Sequence, residues 1–423
     1  MKICAVALCL LAAGAVSSVS AQEGSVPKGI PHLDHVFVIM MENHAYKQVV
    51  GNPNMPFTNQ YANSVNSARN YFAVGHPSLT NYLEVVGGSN FGIRDDNSTD
   101  WHNSNCTPNI IGKTVSLEST STAICPIYGS GTDAATPVID YSNETSGPPG
   151  VIDVDGVLGF AANPNTVGKT IADELVASGL TWKSYQESLP PTGADDVNLA
   201  DGLISNLVDI PTALPGSGLT NSSLIGLYAM KHNPFAYFQN VQEGLDPLLS
   251  LKRMAGFEGT GGLFADLATD RVPSFSFVVP NQCHDQHGRS NAGPECAYDP
   301  NDNGTLVGLN PALMYEGDAT LQTLVTAIHE SNVWRTSNSA IVVVWDENDY
   351  SISPTTNQVL LTVDTNYSSK SVQSKNFYTH FSLLKSVEAG FGLPCLNHAC
   401  DSSTKVMSDL FAAGEGDHDG DDR

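Results

Sequence analysis

The sequence predicts an α/β fold, a three-layer α/β/α sandwich around a mostly parallel sheet, and three observations support it. Continuous apolar runs at residues 35–41, 274–279 and 340–345 are typical of strands that are buried on both faces. Helix-compatible segments separate these runs, and strands that alternate with helices indicate parallel pairing. Each run also ends abruptly at polar residues. Because open α/β sheets bind ligands in the crevice at the carboxyl ends of their strands, we expect the functional site there.

The remaining elements follow from periodicity and turn residues. Helices are predicted at 56–70, 79–86, 167–180, 262–270 and 318–331, and a further strand at 181–185. Residues 98–165 are rich in Ser, Thr, Asn, Gly and Pro, and residues 189–223 are rich in Pro and Gly. Such compositions are typical of loops, so we expect loop-rich insertions at about 98–165 and 189–260.

Composition and charge limit the classes of function. The chain has 423 residues, of which 41% are apolar and 15% charged, which is ample for a large core. Its formal net charge is −25, from 19 basic and 44 acidic residues. Such a surface repels nucleic acid and gains nothing from anionic membranes. Binding of an anion by so acidic a chain needs a local positive centre, and a bound metal ion is the natural one.

The amino-terminal residues 1–21 have the pattern of a secretory signal peptide. Lys2 precedes an apolar core from Ile3 to Val16, and small residues lead to a cleavage site after Ala21. No other apolar run approaches the roughly 20 residues that a membrane span needs. We therefore expect a secreted or periplasmic protein with no transmembrane segment after cleavage. Six cysteines remain, and their proximity favours the disulfides 106–125, 283–296 and 395–400.

Residues 75–82 place a hydroxyl at the start of a predicted helix. Ser78 would sit at the helix N-terminus, where unpaired N–H groups and the helix dipole favour an anion such as phosphate. A serine is a poor nucleophile until a base or a metal activates it. Glu42 and Asn43 follow the first strand and offer oxygen donors that suit a hard cation.

The other two strand ends carry polar residues as well. The second leads to His284, Asp285 and His287, and the third to Asp346 and Glu347. Strand ends that are far apart in sequence can converge on one site. Taken singly, each of these residues could be a loop residue or a cap, and a loop held by Cys283 and Cys296 could use its polar side chains for hydrogen bonding alone.

Five segments, in this order, resemble a known family. They are 38–44, 76–83 with 87–89, 280–287, 343–347, and 378–384 with 388 and 391–393. They are similar to the phosphoesterase family of secreted acid phosphatases and non-specific phospholipases C, a branch of the alkaline phosphatase superfamily. Since they span most of the mature chain, the resemblance implies one alkaline phosphatase-like catalytic domain over 22–413. An acidic tail at 414–423 is expected to be disordered.

The resemblance also implies roles for individual residues. Ser78 would be both nucleophile and metal neighbour, forming a phosphoserine intermediate. A divalent metal, with Ca, Mg, Mn, Fe and Zn left open, would be held by Glu42, Asn43, Ser78, Asp346 and Glu347. Further catalytic residues would be His76, His284, Asp285 and His287, and substrate-binding residues Asn81, Asn97 and His380. Residues 357–374 depart from the family pattern because they are rich in Thr, Ser and Asn.

Three functions remain in competition. The favoured one is a secreted acid phosphatase acting on small phosphomonoesters, because the larger phospholipases C of the family carry extra carboxyl-terminal domains. The second is a phospholipase C-like phosphodiesterase acting on phospholipid, and the third a non-catalytic secreted binding protein. A serine esterase of the α/β-hydrolase type is disfavoured because no G-x-S-x-G surrounds a serine. The oligomeric state is left open.

A second metal signal lies at 299–304. Its Asp-x-Asn-x-Asn-Gly pattern fits the first half of a calcium loop, but Asn310 stands where a bidentate Glu is expected. An Asn/Gly turn is the preferred interpretation.

Overall fold

A computed structural model describes residues 23–91, 96, 110–111, 114–115, 168–189, 227–238, 240–241, 244–289, 292–348, 357–368 and 371–412. The predicted signal peptide, Asn97, the 106–125 disulfide and the tail 414–423 lie outside the described residues.

The strands are arranged on both sides of the buried apolar run that forms β1. They are β1 (His35–Met41), β2 (Asn66–Ala68), β3 (Tyr71–Phe72), β4 (Ile110–Ile111), β5 (Thr114–Val115), β6 (Trp182–Gln186), β7 (Met254–Ala255), β8 (Phe275–Val279), β9 (Ser339–Trp345), β10 (Leu361–Thr365), β11 (Gln373–Ser374) and β12 (Tyr378–Thr379). Eight of them form one sheet in the order β11-β2-β10-β9-β1-β8-β6-β7.

The centre of this sheet is parallel. β1 pairs in parallel with β8 on one side and with β9 on the other, and β6 and β7 extend the parallel part. β10 runs antiparallel to both β9 and β2. Every residue of β8 and β9 is buried, as are six of the seven in β1. This explains why these strands are continuous apolar runs, and the predicted mostly parallel sheet is confirmed.

The helices cover the sheet in two packed groups. They are α1 (Tyr46–Val49), α2 (Pro56–Ser64), α3 (Ser78–Gly87), α4 (Ile171–Ala177), α5 (Leu263–Ala268), α6 (Pro311–Glu330), α7 (Asn332–Thr336) and α8 (His380–Phe391). In one group α3 packs against α4 and α8, and in the other α6 packs against α2, α5 and α7. The layers are those of the predicted α/β/α sandwich. None of the helices in the described residues is long and apolar enough to cross a membrane.

Two helix boundaries differ from the predictions. The helix predicted at 56–70 ends at Ser64, because residues 66–68 form β2 and pair with β10. Here the sheet hydrogen bonds outweigh local helix propensity. The helix predicted at 318–331 starts earlier, at Pro311, because the Asn310 side chain accepts from the N–H of Ala312 and proline fits the first helical position.

Two disulfides and one turn match their predictions. Cys283 is bonded to Cys296, and Cys395 to Cys400. In the loop at 299–304, Asp299 Oδ2 lies 2.9 Å from His44 Nε2, and Asp299 Oδ1 accepts from Asn310 N at 2.6 Å. These contacts are those of a hydrogen-bonded turn, the preferred interpretation of this segment.

Candidate active site

The polar residues after the three central strands meet at one edge of the sheet. Met41 pairs with Trp345 in the β1–β9 register, so Glu42 lies beside Asp346, whose N–H donates to Met41 O at 2.8 Å. On the other side Glu42 N donates to the carbonyl of Asp285 at 2.8 Å. The main chain itself therefore fixes the expected convergence at the carboxyl ends of the strands.

Ser78 is the first residue of α3 and is buried between two carboxylates. Its Oγ lies 3.1 Å from Glu42 Oε2 and 3.4 Å from Glu347 Oε1. Pro77 precedes it as the N-cap in an extended conformation, so the hydroxyl lies at the helix N-terminus, where the N–H of Leu79 donates to Asp96 Oδ1 and that of Thr80 to the carbonyl of Pro77. A single hydroxyl proton can be donated to only one of the two carboxylates. Either one can accept the proton of Ser78.

The three carboxylates crowd one another in a buried space. Burial raises the pKa of Glu42 well above its ordinary value, and the charge of Asp346 raises it further. Burial likewise raises the pKa of Asp346, with the charge of Glu347 as the next cause. Asn43 N donates to Asp346 Oδ1 at 2.9 Å from a left-handed backbone conformation that asparagine tolerates well. Several like charges in one dry pocket call for a compensating cation.

The donor atoms fit such a cation. Within the described residues, Asp346 Oδ2 is buried without a hydrogen-bond donor, and Glu42 Oε1 also has no aligned donor. One end of the Asn43 amide lies 3.2 Å from Glu347 Oε1 and 3.3 Å from Glu42 Oε2. The amide nitrogen in that place donates to both carboxylates, so Asn43 links the Glu42 and Glu347 side chains. The carboxylate oxygens of this group suit a hard divalent ion.

Asn81 and His76 hold the segment before Ser78. Asn81 Oδ1 accepts from the N–H groups of Val74 and Gly75 at 3.1 and 3.0 Å, and Asn81 Nδ2 donates to Glu347 Oε2 at 3.0 Å. His76 Nδ1 lies 2.8 Å from the same Glu347 oxygen. Both side chains lie in the site as predicted, but the contacts of Asn81 are those of a residue that positions Glu347 and the turn.

His380 lies behind Asp346. Its Nε2 is 2.6 Å from the Asp346 carbonyl and its Nδ1 is 2.9 Å from the Tyr71 hydroxyl. Burial lowers the pKa of His380 to about 4, so the ring is neutral. The carbonyl requires an N–H on Nε2, which leaves Nδ1 to accept from Tyr71. Both ring nitrogens are thus engaged with the protein, an arrangement that orients Asp346 rather than one that faces a substrate.

Of the three predicted catalytic residues in the loop closed by the Cys283–Cys296 disulfide, two lie in the site and one does not. Asp285 is fully buried against the site, and its Oδ1 accepts from His287 N at 2.7 Å. His287 lies beside it and is partly buried, and desolvation followed by the charge of Lys231 lowers its pKa to about 3. His284 turns instead to Glu187, with Nδ1 2.8 Å from Glu187 Oε1. The structure therefore brings Asp285 and His287 to the site and directs His284 away from it.

His232 is a site residue that sequence reasoning missed. Its Nε2 lies 3.1 Å from Glu42 Oε1 and its Nδ1 3.2 Å from Asp285 Oδ2, although neither contact has ideal hydrogen-bond alignment. The ring stacks on Tyr82 with centroids 5.1 Å apart. Residue 232 falls within a segment predicted to be an insertion. The available signal was the apolar run at 228–238, which is buried throughout and carries polar residues at its centre.

His232 also belongs to a second group of donor atoms. One atom each from Glu42, His232 and His287 lies within 4.8 Å of the others, and two nitrogens with one carboxylate suit zinc or iron. The outer nitrogens of both rings are held by Asp285 and by Gly288 O, as in many metal-bound histidines. However, Lys231 Nζ lies 3.1 Å from His287 Nε2, and an ammonium group there opposes a cation. This triad is therefore a second candidate metal site beside the oxygen-rich group predicted from the sequence.

The chain is similar to several known proteins. The model of the Phosphoesterase family matches residues 52–297, more than half of the chain. A phosphatidylinositol-3-phosphatase of Mycobacterium tuberculosis is 23% identical over 406 residues, which cover 94% of this chain and 91% of that protein. An acid phosphatase of Aspergillus fumigatus is 24% identical over 361 residues, 85% of this chain but only 55% of its own length. A solved Vibrio parahaemolyticus protein of the alkaline phosphatase superfamily aligns with 91% of this chain and 72% of its own, at a TM-score of 0.43 and 11% identity.

Proposed function

The chain belongs to the phosphoesterase family and is a hydrolase of phosphoric esters, and from this premise we propose that it is a secreted, metal-dependent acid phosphatase. The proposed substrates are phosphomonoesters, and Ser78 is the proposed nucleophile, with a phosphoserine intermediate. The observation that carries this proposal is the position of Ser78 Oγ between the carboxylates of Glu42 and Glu347 at a helix N-terminus.

The proposed first step is an in-line attack by Ser78 Oγ on phosphorus. The Oγ–P bond forms while the bond from phosphorus to the leaving oxygen breaks, and the hydroxyl proton passes to Glu42 or Glu347. The N–H groups at the start of α3 face the charge that grows on the phosphoryl oxygens. In the second step the oxygen of a water molecule bonds to phosphorus as the Oγ–P bond breaks, Ser78 Oγ takes back a proton from the carboxylate, and inorganic phosphate leaves. Positioning and charge stabilisation supply most of the catalysis in phosphoryl transfer, so a rigid, buried nucleophile fits the task.

Glu42, Asn43, Asp346 and Glu347 are the residues proposed to hold the metal beside Ser78. A divalent cation there would lower the pKa of the serine hydroxyl and offset the negative charge of the carboxylates and the substrate. His76 and Asn81 keep Glu347 in place, and His380 and Asn43 N do the same for Asp346. Such outer contacts are typical of metal sites, where they orient the ligands.

The preference for monoesters over diesters has support from the relatives. Those described above are named for phosphatase activity, one as an acid phosphatase and one as a phosphatidylinositol-3-phosphatase. The amino-terminal pattern at 1–21 supports export. A phospholipase C-like activity is the alternative, since the same nucleophile and metal can cleave a diester.

A direct substrate comparison tests the proposal. Hydrolysis of p-nitrophenyl phosphate and of p-nitrophenylphosphorylcholine is measured for wild type and Ser78→Ala, from acid to mildly alkaline pH, after chelation and with each metal restored. We expect faster hydrolysis of the monoester at acid pH, loss on chelation, and loss in Ser78→Ala. The matched control is Ser276→Ala, a buried β8 serine whose hydroxyl has no hydrogen-bond partner in the described residues. Preference for the choline diester would favour the alternative, and no turnover with any metal would refute both.

A further inference from the structure

Lys231 and Asp96 form an ion pair at the start of the nucleophile helix. Lys231 Nζ lies 2.8 Å from Asp96 Oδ2, and Asp96 Oδ1 accepts from the N–H of Leu79 at 3.1 Å. Leu79 directly follows Ser78, and α3 has ten residues, long enough for a substantial dipole. The carboxylate of Asp96 therefore occupies an anion position next to the nucleophile. Two donors, one cationic and one from the main chain, converge on it.

Lys231 also faces the interior of the site. Its Nζ lies 3.1 Å from His287 Nε2. Since His287 Nδ1 contacts the carbonyl of Gly288 at 2.9 Å, Nδ1 carries the proton and Nε2 is free to accept from the ammonium group. Burial raises the pKa of Glu42, of Asp285 and of Asp346, and the positive charge of Lys231 opposes the rise in each. Lys231 therefore acts electrostatically on the whole site, and not only on Asp96.

We propose that Lys231 binds the phosphate group of the substrate, and that Asp96 fills the same anion position until the phosphate displaces it. This inference rests on the proposed function and extends it to the residue that recognises the phosphate. Lys231 Nζ and Leu79 N are the donors released when Asp96 withdraws. Leu79 directly follows Ser78, and Lys231 Nζ contacts the same carboxylate as Leu79 N, so an anion between these two donors lies next to the nucleophile helix.

The charges around Lys231 favour an anion-binding role for this residue over a structural one. The pocket is lined by the carboxylates of Glu42, Asp285, Asp346 and Glu347, which repel a phosphate. A lysine side chain only 10% exposed beside them offsets that repulsion. Above the second pKa of a monoester, about 6, the dianion carries one more negative charge than a diester, so Lys231 also favours the monoester there.

A second buried lysine provides the contrast. Lys183, on β6, forms an ion pair with Asp266 of α5, and Tyr185 donates to the same carboxylate at 2.7 Å. That pair joins a strand to a helix and has no described contact with a site residue. It is therefore a matched control, a part-buried lysine–aspartate pair whose role is structural.

Binding of inorganic phosphate tests the inference apart from turnover. The Kd of phosphate is measured by calorimetry, and KM and kcat for p-nitrophenyl phosphate by assay, in wild type, Lys231→Met, Asp96→Asn, the double variant and Lys183→Met. We expect Lys231→Met to weaken phosphate binding about 10- to 100-fold, the usual loss for a charge-assisted hydrogen bond. Asp96→Asn should tighten phosphate binding, by about 3- to 10-fold, because the competing carboxylate is gone. KM should move with Kd in each case.

Lys231→Met should weaken phosphate binding and Asp96→Asn should tighten it. These opposite effects distinguish a phosphate-binding role from that of a structural ion pair. In the double variant part of the affinity lost in Lys231→Met should return, since no unpaired carboxylate remains to repel phosphate. Lys231→Arg, which keeps the charge, should retain phosphate binding, and Lys183→Met should leave Kd unchanged. Equal losses in Lys231→Met and Asp96→Asn, or an unchanged Kd in both, would overturn the inference. If wild type hydrolyses no ester, the proposed function fails, while the phosphate titrations still decide the role of Lys231.

Discussion

In two regions of the site, polar residues follow a buried strand. The two regions differ in how many of those residues lie in the site. At the ends of β1 and β9, residues 42 and 346–347 follow the strand without interruption, and all three carboxylates face Ser78 or its neighbours. After β8 a proline and a disulfide-closed loop intervene, and His284 leaves the site while Asp285 and His287 enter it. Sheet register determines the position of the residue next to a strand, whereas side chains on a loop can point in different directions.

The largest effect is expected at Ser78, beside the ends of β1 and β9, where sheet register positions the polar residues. Ser78→Ala removes the proposed nucleophile and should lower kcat more than about 10³-fold, the scale of nucleophile loss in other hydrolases. Thermal stability should change little, because alanine suits the first helical turn. Steady-state assays and a melting curve measure both quantities. Substantial residual turnover in a folded Ser78→Ala protein would show that convergence at these strand ends is structural.

The next effect concerns the metal. Asp346→Asn keeps the shape of the side chain and removes one charge, so metal should bind more than about 100-fold more weakly, beyond what outer-contact variants show. Titration calorimetry of the chelated protein measures this Kd. Asp364→Asn is the control, since Asp364 lies on β10 and contacts Tyr61 and His329 instead. Equal metal affinity in wild type and Asp346→Asn would exclude Asp346 as a ligand.

His232 tests whether the loop side of the site matters as much as the strand ends. His232→Gln removes the ring between Glu42 and Asp285, and we expect metal affinity or activity to fall about 10- to 100-fold. The fall should be smaller than in Asp346→Asn if His232 acts by positioning Glu42. A larger loss of metal affinity in His232→Gln would move the metal towards the group of Glu42, His232 and His287.

The smallest effect is expected at His284, which the structure directs away from the site. His284→Gln should leave kcat/KM within about 2-fold of wild type. Burial alone would lower the pKa of His284, but the Glu187 carboxylate reverses this and raises it. A raised pKa stabilises the fold below the unfolded value of about 6.5, and this contribution is lost as pH rises through the folded pKa.

The stability difference between wild type and His284→Gln should therefore be present at acid pH and vanish in alkali. Its size should stay below about 1 kcal/mol, as for other partly exposed pairs. Urea unfolding at several pH values measures it. A large loss of activity in His284→Gln, with stability intact, would show that this loop residue acts in the site as the residues at the strand ends do.

The sequence was sufficient for the part of the site that the sheet determines. Apolar runs predicted β1, β8 and β9, and their shared edge then required Glu42 and Asp346 to be neighbours. The same pattern placed Ser78 at a helix start, and Gly88 in the left-handed conformation ends that helix as expected for a C-cap. These features follow from local periodicity and from the geometry of parallel sheets.

The rest depends on contacts that no local pattern encodes. His232 and Lys231 lie in a single 3₁₀ turn without periodicity, and packing against α3 brings them to the site. The helix predicted at 56–70 was too long because β10, nearly 300 residues later, pairs with residues 66–68. Likewise Asn81 resembles a substrate ligand in sequence, but the turn at 74–75 uses its amide.

The central claim is that Ser78 transfers a phosphoryl group, and trapping the intermediate tests it most directly. Wild type is mixed with p-nitrophenyl phosphate, quenched in acid within the first turnover, digested and mapped by mass spectrometry, with Ser276→Ala and Ser78→Ala in parallel. We expect one phosphoryl group on the peptide that contains Ser78, in wild type and in Ser276→Ala, and none in Ser78→Ala. Rapid turnover with no phosphorylated Ser78 at any quench time, together with retained activity in Ser78→Ala, would contradict the account.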